Sequence, residues 1–321
     1  MRAVLCQGFG DPQVLTLTEM PPPTPKPEEL LLQVKATALN RADLLQRRGK
    51  YPPPPGASNI LGLEIAGEVT QLGTHTSGFK IGDRVCGLVP GGGYAEFCTI
   101  DFETALMIPP ALSYEEAAAI PEAFLTANEA LFHLGHLQKG ERVLIHAGGS
   151  GVGTAAIQLA KQVGCTVFAT IGSLAKIDKV KQIGADHIIQ YKTEDFAQAI
   201  QNGVDVILDF IGADYLSRHL DILNNNGRLI CVGLMGGSKT TIDLKPILAK
   251  RLQIKGLVMR TRSVSDKRGI TLRFKEQWLS LFATGTLKPI IDSIFTLDAI
   301  KSAHEYMETN ANVGKIVIKI E

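Results

Sequence analysis

Cysteine is scarce and scattered in this chain. Cys6, Cys86, Cys98, Cys165 and Cys231 are odd in number, and no two of them form a C-x-x-C pair. That pattern excludes a disulfide framework and a four-cysteine zinc lobe, and it predicts a reducing compartment, the cytoplasm. A surplus of one charge sign is missing too, since 33 Lys and Arg face 32 Asp and Glu. With a pI near 7.7, nothing in the electrostatics favours nucleic acid or an anionic membrane surface. The opening MRAVLCQGFG lacks the apolar core of a secretory leader, so none is expected. One stretch, 143–160, has no Asp, Glu, Lys or Arg, but glycines and polar groups crowd its middle. It suits a strand, a turn and a helix better than a membrane span.

What is present divides into regions. A length of 321 residues predicts about two domains. Residues 1–122 carry short β-like runs (LLLQVKAT, EIAGEVTQLG, GDRVCGLV, YAEFCTI) broken by Pro and Gly, with one early helix near 41–48 that Asn40 is placed to cap. Between 123 and 265 the pattern changes to apolar strands alternating with helices: 142–147, 166–171, 187–190, 204–210 and 228–233. Such strands predict an α/β domain with a doubly wound parallel sheet covered on both faces. Residues 266–321 offer an amphipathic helix at FKEQWLSLFATG, a short strand, a second helix and a final strand KIVIKI, expected to fold back onto the first domain. The segment 252–263, LQIKGLVMRTRS, reads as a last strand running past the sheet, whose edge invites a second copy to form a homodimer.

The strongest local signal is Gly148-Gly149-Ser150-Gly151-Val152-Gly153, between a predicted strand and a predicted helix. Glycines there permit a tight turn and close helix–strand packing, and the helix start offers N–H groups to a pyrophosphate. An NAD site places an acid at the end of the second strand, but that point reads TIGSLAK, with no acid between Phe168 and Ala175. Ser173 and Lys176 stand there instead, with Tyr191 at the end of the next strand. A hydroxyl and a cation suit a 2′-phosphate, so NADPH is the expected cofactor.

The run G140-E-x-x-L144-x-x-x-G-G-S-G-x-G-x-x-x-x-Q158-x-x-K161 resembles the quinone oxidoreductase (zeta-crystallin-like) signature of the medium-chain dehydrogenase/reductases, with Ser150 its one departure. The resemblance runs the whole length, through ALNRADLLQRRGKYPPPPGASNILGLEIAG, PGGGYAEF, AAAIPEAFLTA and VGKIVI. These stretches are most similar to the tumour-suppressor-inducible quinone oxidoreductase subgroup. It implies a GroES-like β-rich catalytic domain joined to a Rossmann domain, and NADPH-dependent, two-electron reduction of quinones by a homodimer. The zinc-dependent alcohol dehydrogenases share that fold, yet their ligand positions fall on Asn40, Leu63 and Glu122 here, so no metal is expected.

Without Lewis-acid polarisation, alcohol oxidation is disfavoured, whereas a quinone is electrophilic unaided. Three residues are the candidates around the reacting ring. Asn40 either bonds substrate or ribose or caps its helix. Tyr51 either donates to a quinone oxygen or packs on the Pro52–Pro55 run. Ser150 either adds a donor at the reactive end or is merely tolerated in the turn. The resemblance further implies cofactor contacts at Thr126, Phe210, Ile211, Gly233, Leu234, Met235 and Lys315. Two rivals stand beside a quinone reductase: an NADPH-dependent reductase of alkenal or enone double bonds, and a non-catalytic NADPH-binding protein.

Overall fold

The computed structural model describes all 321 residues. The chain opens with β1 (Arg2–Cys6) and β2 (Leu15–Glu19), then β3 (Glu29–Ala38), α1 (Arg41–Arg47), β4 (Glu64–Leu72), β5 (Arg84–Leu88), β6 (Phe97–Asp101) and β7 (Ala105–Met107). Helices α2 (Tyr114–Ala118) and α3 (Pro121–Asn128) follow. Next come β8 (Arg142–Ile145), α4 (Gly151–Gln162), β9 (Thr166–Ile171), α5 (Ile177–Ile183), β10 (His187–Gln190), α6 (Phe196–Ala199), β11 (Val204–Asp209), α7 (Leu216–Ile222), β12 (Leu223–Cys231), α8 (Lys245–Lys250) and β13 (Gln253–Gly256). The chain closes with α9 (Val264–Ala283), β14 (Ile291–Thr296), α10 (Ile300–Glu308) and β15 (Lys315–Lys319). Two compact units result, Met1–Leu125 with Arg260–Glu321, and Thr126–Met259.

The first unit is a GroES-like β module. Its seven-stranded sheet runs β14-β15-β3-β4-β5-β7, with β6 also paired to β3. At the end of the tail, β15 pairs antiparallel with β3, Val317 opposite Ala38. Leu30, Leu32, Val34, Ile65, Val69, Val85, Ile316 and Ile318 bury one continuous core there.

The second unit is a Rossmann sheet, with six parallel strands in the order β10-β9-β8-β11-β12-β13. Strand order reverses between β8 and β11, and in such sheets ligands bind beyond the carboxyl ends of the strands at that point. β8 and β11 are apolar and buried almost throughout, as strands covered on both faces must be. α4 buries Ala155, Ala156, Ile157, Leu159 and Ala160, more than half of its circumference.

Two expectations need correction. The strand expected over 252–263 is only Gln253–Gly256. Beyond it Leu257 and Met259 turn inward and are buried, and Arg260 belongs to the first unit, so no strand runs past the sheet. The helix expected at FKEQWLSLFATG begins ten residues earlier, at Val264, where the Ser263 hydroxyl accepts the Asp266 N–H and caps a polar first turn.

Candidate active site

The glycine turn is built by close approaches that leave no room for a side chain at Gly148 and Gly153. Ala147 takes φ of +50°, and its carbonyl accepts the Ser150 N–H at 2.8 Å. A Cβ on Gly153 would stand 2.3 Å from that carbonyl oxygen, and one on Gly148 would stand 2.9 Å from the Ala169 Cβ. Gly148 donates its N–H to Thr170 O on β9, also at 2.8 Å. Ser150 is the N-cap of α4, its Oγ accepting the Gly153 N–H at 3.0 Å. The hydroxyl's structural task is therefore the cap, with its proton left to donate elsewhere. At the helix start the Gly151 and Val152 N–H groups precede the first intrahelical bond, Thr154 N–H to Ser150 O, and are oriented as an anion cradle.

The neighbouring strand ends supply the other polar groups. A Cβ on Gly149 would lie 3.0 Å from Lys176 Cδ and 3.7 Å from its Nζ, so this lysine crosses the turn. A Cβ on Gly172 would lie 2.6 Å from the Tyr191 hydroxyl, which places that phenol over the end of β9. Ser173 is exposed beside them. After β11, Asp209 accepts the N–H groups of Ile211 (2.8 Å) and Gly212 (3.0 Å) and shapes the turn that presents Phe210 and Ile211. Burial pushes its carboxyl up to about 6 against those two bonds. After β12, Gly233 lies against the Phe210 carbonyl, while Leu234 and Met235 stand 57% and 56% exposed, which rules out core packing for Met235. Thr126, in α3, is buried, and its hydroxyl has no protein partner. Apart from Thr126, the candidates of this unit share one end of one sheet, and the cradle fits a dinucleotide.

In the first unit the sheet register assembles a second group. Lys315 is buried, and its ammonium donates to Leu39 O (2.7 Å) and Asn40 Oδ1 (2.6 Å) and pairs with Glu64 Oε1 (2.7 Å). Asn40 Nδ2 donates to the same Glu64 oxygen at 2.8 Å, and Glu64 Oε2 accepts the Glu122 N–H at 2.8 Å. Asn40 occupies the cap position of α1, but its amide is turned to Lys315 and Glu64, while Asp43 accepts the Asn40 N–H at 2.8 Å. Lys315, expected on the cofactor, has its three N–H groups engaged inside this network. No group of three or more His, Cys, Asp or Glu side chains is placed to hold a metal ion.

Tyr51 is half-buried with its hydroxyl unpaired, and the Arg260 guanidinium lies 5.4 Å from the centre of its ring. Arg260 donates Nε–H to Pro90 O (2.9 Å) and Nη1–H to Tyr51 O (3.3 Å), while its buried Nη2 has no partner. Burial raises the Tyr51 phenol, helped by Glu122 and opposed by Arg260. Burial also lifts Glu122 to about 7, with repulsion from Glu64 adding to it and Lys315 opposing. Arg260 and the raised carboxyl of Glu122 were not evident in the sequence, where neither belongs to a motif of its own.

Residues 26–127 match the alcohol dehydrogenase GroES-like domain model and residues 183–318 a zinc-binding dehydrogenase model. Human quinone oxidoreductase is 31% identical over 331 residues, covering 99% of this chain and 97% of that protein. The human synaptic vesicle membrane protein VAT-1 homolog is 32% identical over 342 residues, covering 99% and 86%. Among solved structures, Escherichia coli quinone oxidoreductase complexed with NADPH superposes with a TM-score of 0.89 at 29% identity, covering 99% and 100%. The CurK enoyl reductase gives 0.89 at 30% identity, covering 100% and 99%.

Proposed function

Because this chain belongs to the quinone-oxidoreductase-like medium-chain dehydrogenase/reductases, we propose that it is an NADPH:quinone reductase. The observation that carries the choice of cofactor is Lys176 crossing the glycine turn where an NAD site would hold an acid. Gly151 and Val152 N–H groups would receive the pyrophosphate, and Lys176, Ser173 and Tyr191 the 2′-phosphate. Thr126, Phe210, Ile211, Gly233, Leu234 and Met235 would line the rest of the nucleotide. A bound NADPH supplies the hydride.

The chain's own residues handle the acceptor. The unpaired Tyr51 hydroxyl donates a hydrogen bond to a quinone oxygen, and Arg260 Nη2 offers a second donor beside it. Glu122, half-protonated near neutrality, holds a proton for the product hydroquinone. Asn40 acts one step back, by keeping Glu64 and Lys315 in place. Ser150 keeps a proton to donate while capping α4.

A second reading, reduction of alkenal or enone double bonds, is favoured by the likeness to enoyl reductases. Five free thiols fit a cytoplasmic protein, and no helix is long and apolar enough to cross a membrane. The open edge of β13 is the surface proposed for a homodimer. Steady-state oxidation of NADPH and NADH across a panel of ortho- and para-quinones and alkenals tests the reading. Faster turnover of quinones with NADPH is expected. A large alkenal preference selects the second reading, and cofactor binding without turnover of any acceptor defeats both.

A further inference from the structure

A chain of buried polar side chains lies just beneath the nucleotide-facing turns of the second unit. His146 Nδ1 is 3.0 Å from Thr170 Oγ1 at the end of β9, and His146 Nε2 is 2.8 Å from His219 Nε2 on α7. His219 Nδ1 has no hydrogen-bond partner and faces Asp209 Oδ2 at 3.9 Å. The four side chains are between 0% and 1% exposed. An apolar core would fill this space without such directional bonds, and a buried polar chain is costly unless its members are satisfied.

One arrangement of protons satisfies the chain. Of the two facing Nε2 atoms, one must carry the hydrogen. If His219 carried it, its bare Nδ1 would face the Asp209 carboxylate. With the hydrogen on His146 Nε2, His219 keeps its proton on Nδ1 towards Asp209, and the Thr170 hydroxyl donates to His146 Nδ1. Burial holds both imidazoles neutral, His219 at about 3 and His146 well below the usual range. The neighbouring Arg218, which stacks on Phe196 and Tyr215, opposes protonation further.

Three members of this chain stand beside loops that would touch the dinucleotide. His146 leads directly into Ala147 and the glycine turn, and Thr170 into Ile171, Gly172 and Ser173. Asp209 holds the turn of Phe210 and Ile211. We infer that Thr170, His146, His219 and Asp209 form a positioning relay that locks three strand-end loops into one dinucleotide-binding geometry. The inference rests on the reading of this unit as the cofactor site. None of the four touches the ligand; they act through the loops they fix.

The test compares Thr170→Val, which removes the hydroxyl at constant shape, with Thr170→Ser, which restores it. Binding of NADPH and of NADH to the full chain is measured by calorimetry, alongside melting temperature and imidazole ¹⁵N spectra. Thr170→Val is expected to weaken both cofactors about fivefold, the effect of an unsatisfied buried acceptor on loop geometry, and Thr170→Ser to stay within about twofold of the parent. The parent spectra should show protons on His146 Nε2 and His219 Nδ1, with both resonances perturbed in Thr170→Val only. A lower melting temperature with unchanged cofactor affinity would overturn the relay, as would a parent His219 protonated on Nε2. If the parent chain bound neither cofactor, the dinucleotide reading itself would fall, and the relay with it.

Discussion

Lys315 Nζ and Glu64 Oε1 lie 2.7 Å apart in the interior of the β module, one brought by β15 and the other by the first residue of β4. The ammonium is the cation of that site, and it neutralises Glu64 while holding Asn40. Replacing it by Lys315→Met leaves Glu64 buried and uncompensated, at an expected cost of about 3–5 kcal/mol. Urea unfolding measures the loss. The double variant Lys315→Met, Glu64→Gln should recover part of it, and a single variant as stable as the parent would contradict the pairing.

Lys176 is the residue expected to separate the two nicotinamide cofactors. Lys176→Ala should raise the dissociation constant of NADPH by roughly tenfold, the worth of one charge-assisted contact, and leave NADH nearly unchanged. Titration of nicotinamide fluorescence gives both constants. An equal loss for the two cofactors would move Lys176 from the 2′-phosphate to the pyrophosphate.

Much of this was legible in the sequence, and the reason is locality. The glycine turn, its strand and its helix are contiguous, so composition and period sufficed to find them. The network of Asn40, Glu64, Glu122 and Lys315 was not, because sheet register creates it. Pairing Val317 with Ala38 and Thr37 with Ile65 brings residues from both ends of the sequence to one point. Spacing carries no trace of that pairing. The Thr170–His146–His219 contacts are hidden for the same reason, since adjacent parallel strands and a crossing helix supply them. Strand ends failed where polarity misled: β12 starts at Leu223, through the Asn224–Asn226 run that reads as a turn.

Ser150 offers a direct measure of the cap. Ser150→Ala should cost about 1 kcal/mol of stability, whereas Ser150→Gly should cost only a few tenths, because glycine tolerates the cap position. Chemical denaturation resolves the difference. Equal losses would mean that the hydroxyl has a task beyond the Gly153 N–H.

Glu122 gives a pH dependence of definite sign. Its folded value of about 7 lies above the ordinary 4.5, so the folded chain binds the extra proton between those limits. Its ionised form therefore costs stability above pH 7, and the cost fades as pH falls towards 4.5. Glu122→Gln should be the more stable form at pH 8, by about 3 kcal/mol, with the advantage gone near pH 4.5. Melting curves of both proteins across that range check it. An advantage that grew on acidification would reverse the assignment.

The edge of β13 predicts a dimer that a single charge dissolves. Ile254 is 43% exposed on that strand, and Leu248 and Val258 are exposed nearby. Ile254→Lys should convert a dimer into a monomer in light scattering while leaving the unfolding free energy of the chain within about 1 kcal/mol of the parent. A parent that is already monomeric would remove the proposal.

The place of β15, between β14 and β3, has a consequence for biosynthesis. Residues 126–259 form an uninterrupted segment that can close its sheet as soon as it has left the ribosome. The amino-terminal module cannot. Its longest strand, β3, is paired along Glu29–Gln33 by β6, but at Ala36–Ala38 one hydrogen-bonding side stays open until residues 315–319 arrive, when most of the chain has already been made. That interval gives unwanted strand pairing between neighbouring nascent chains an opening.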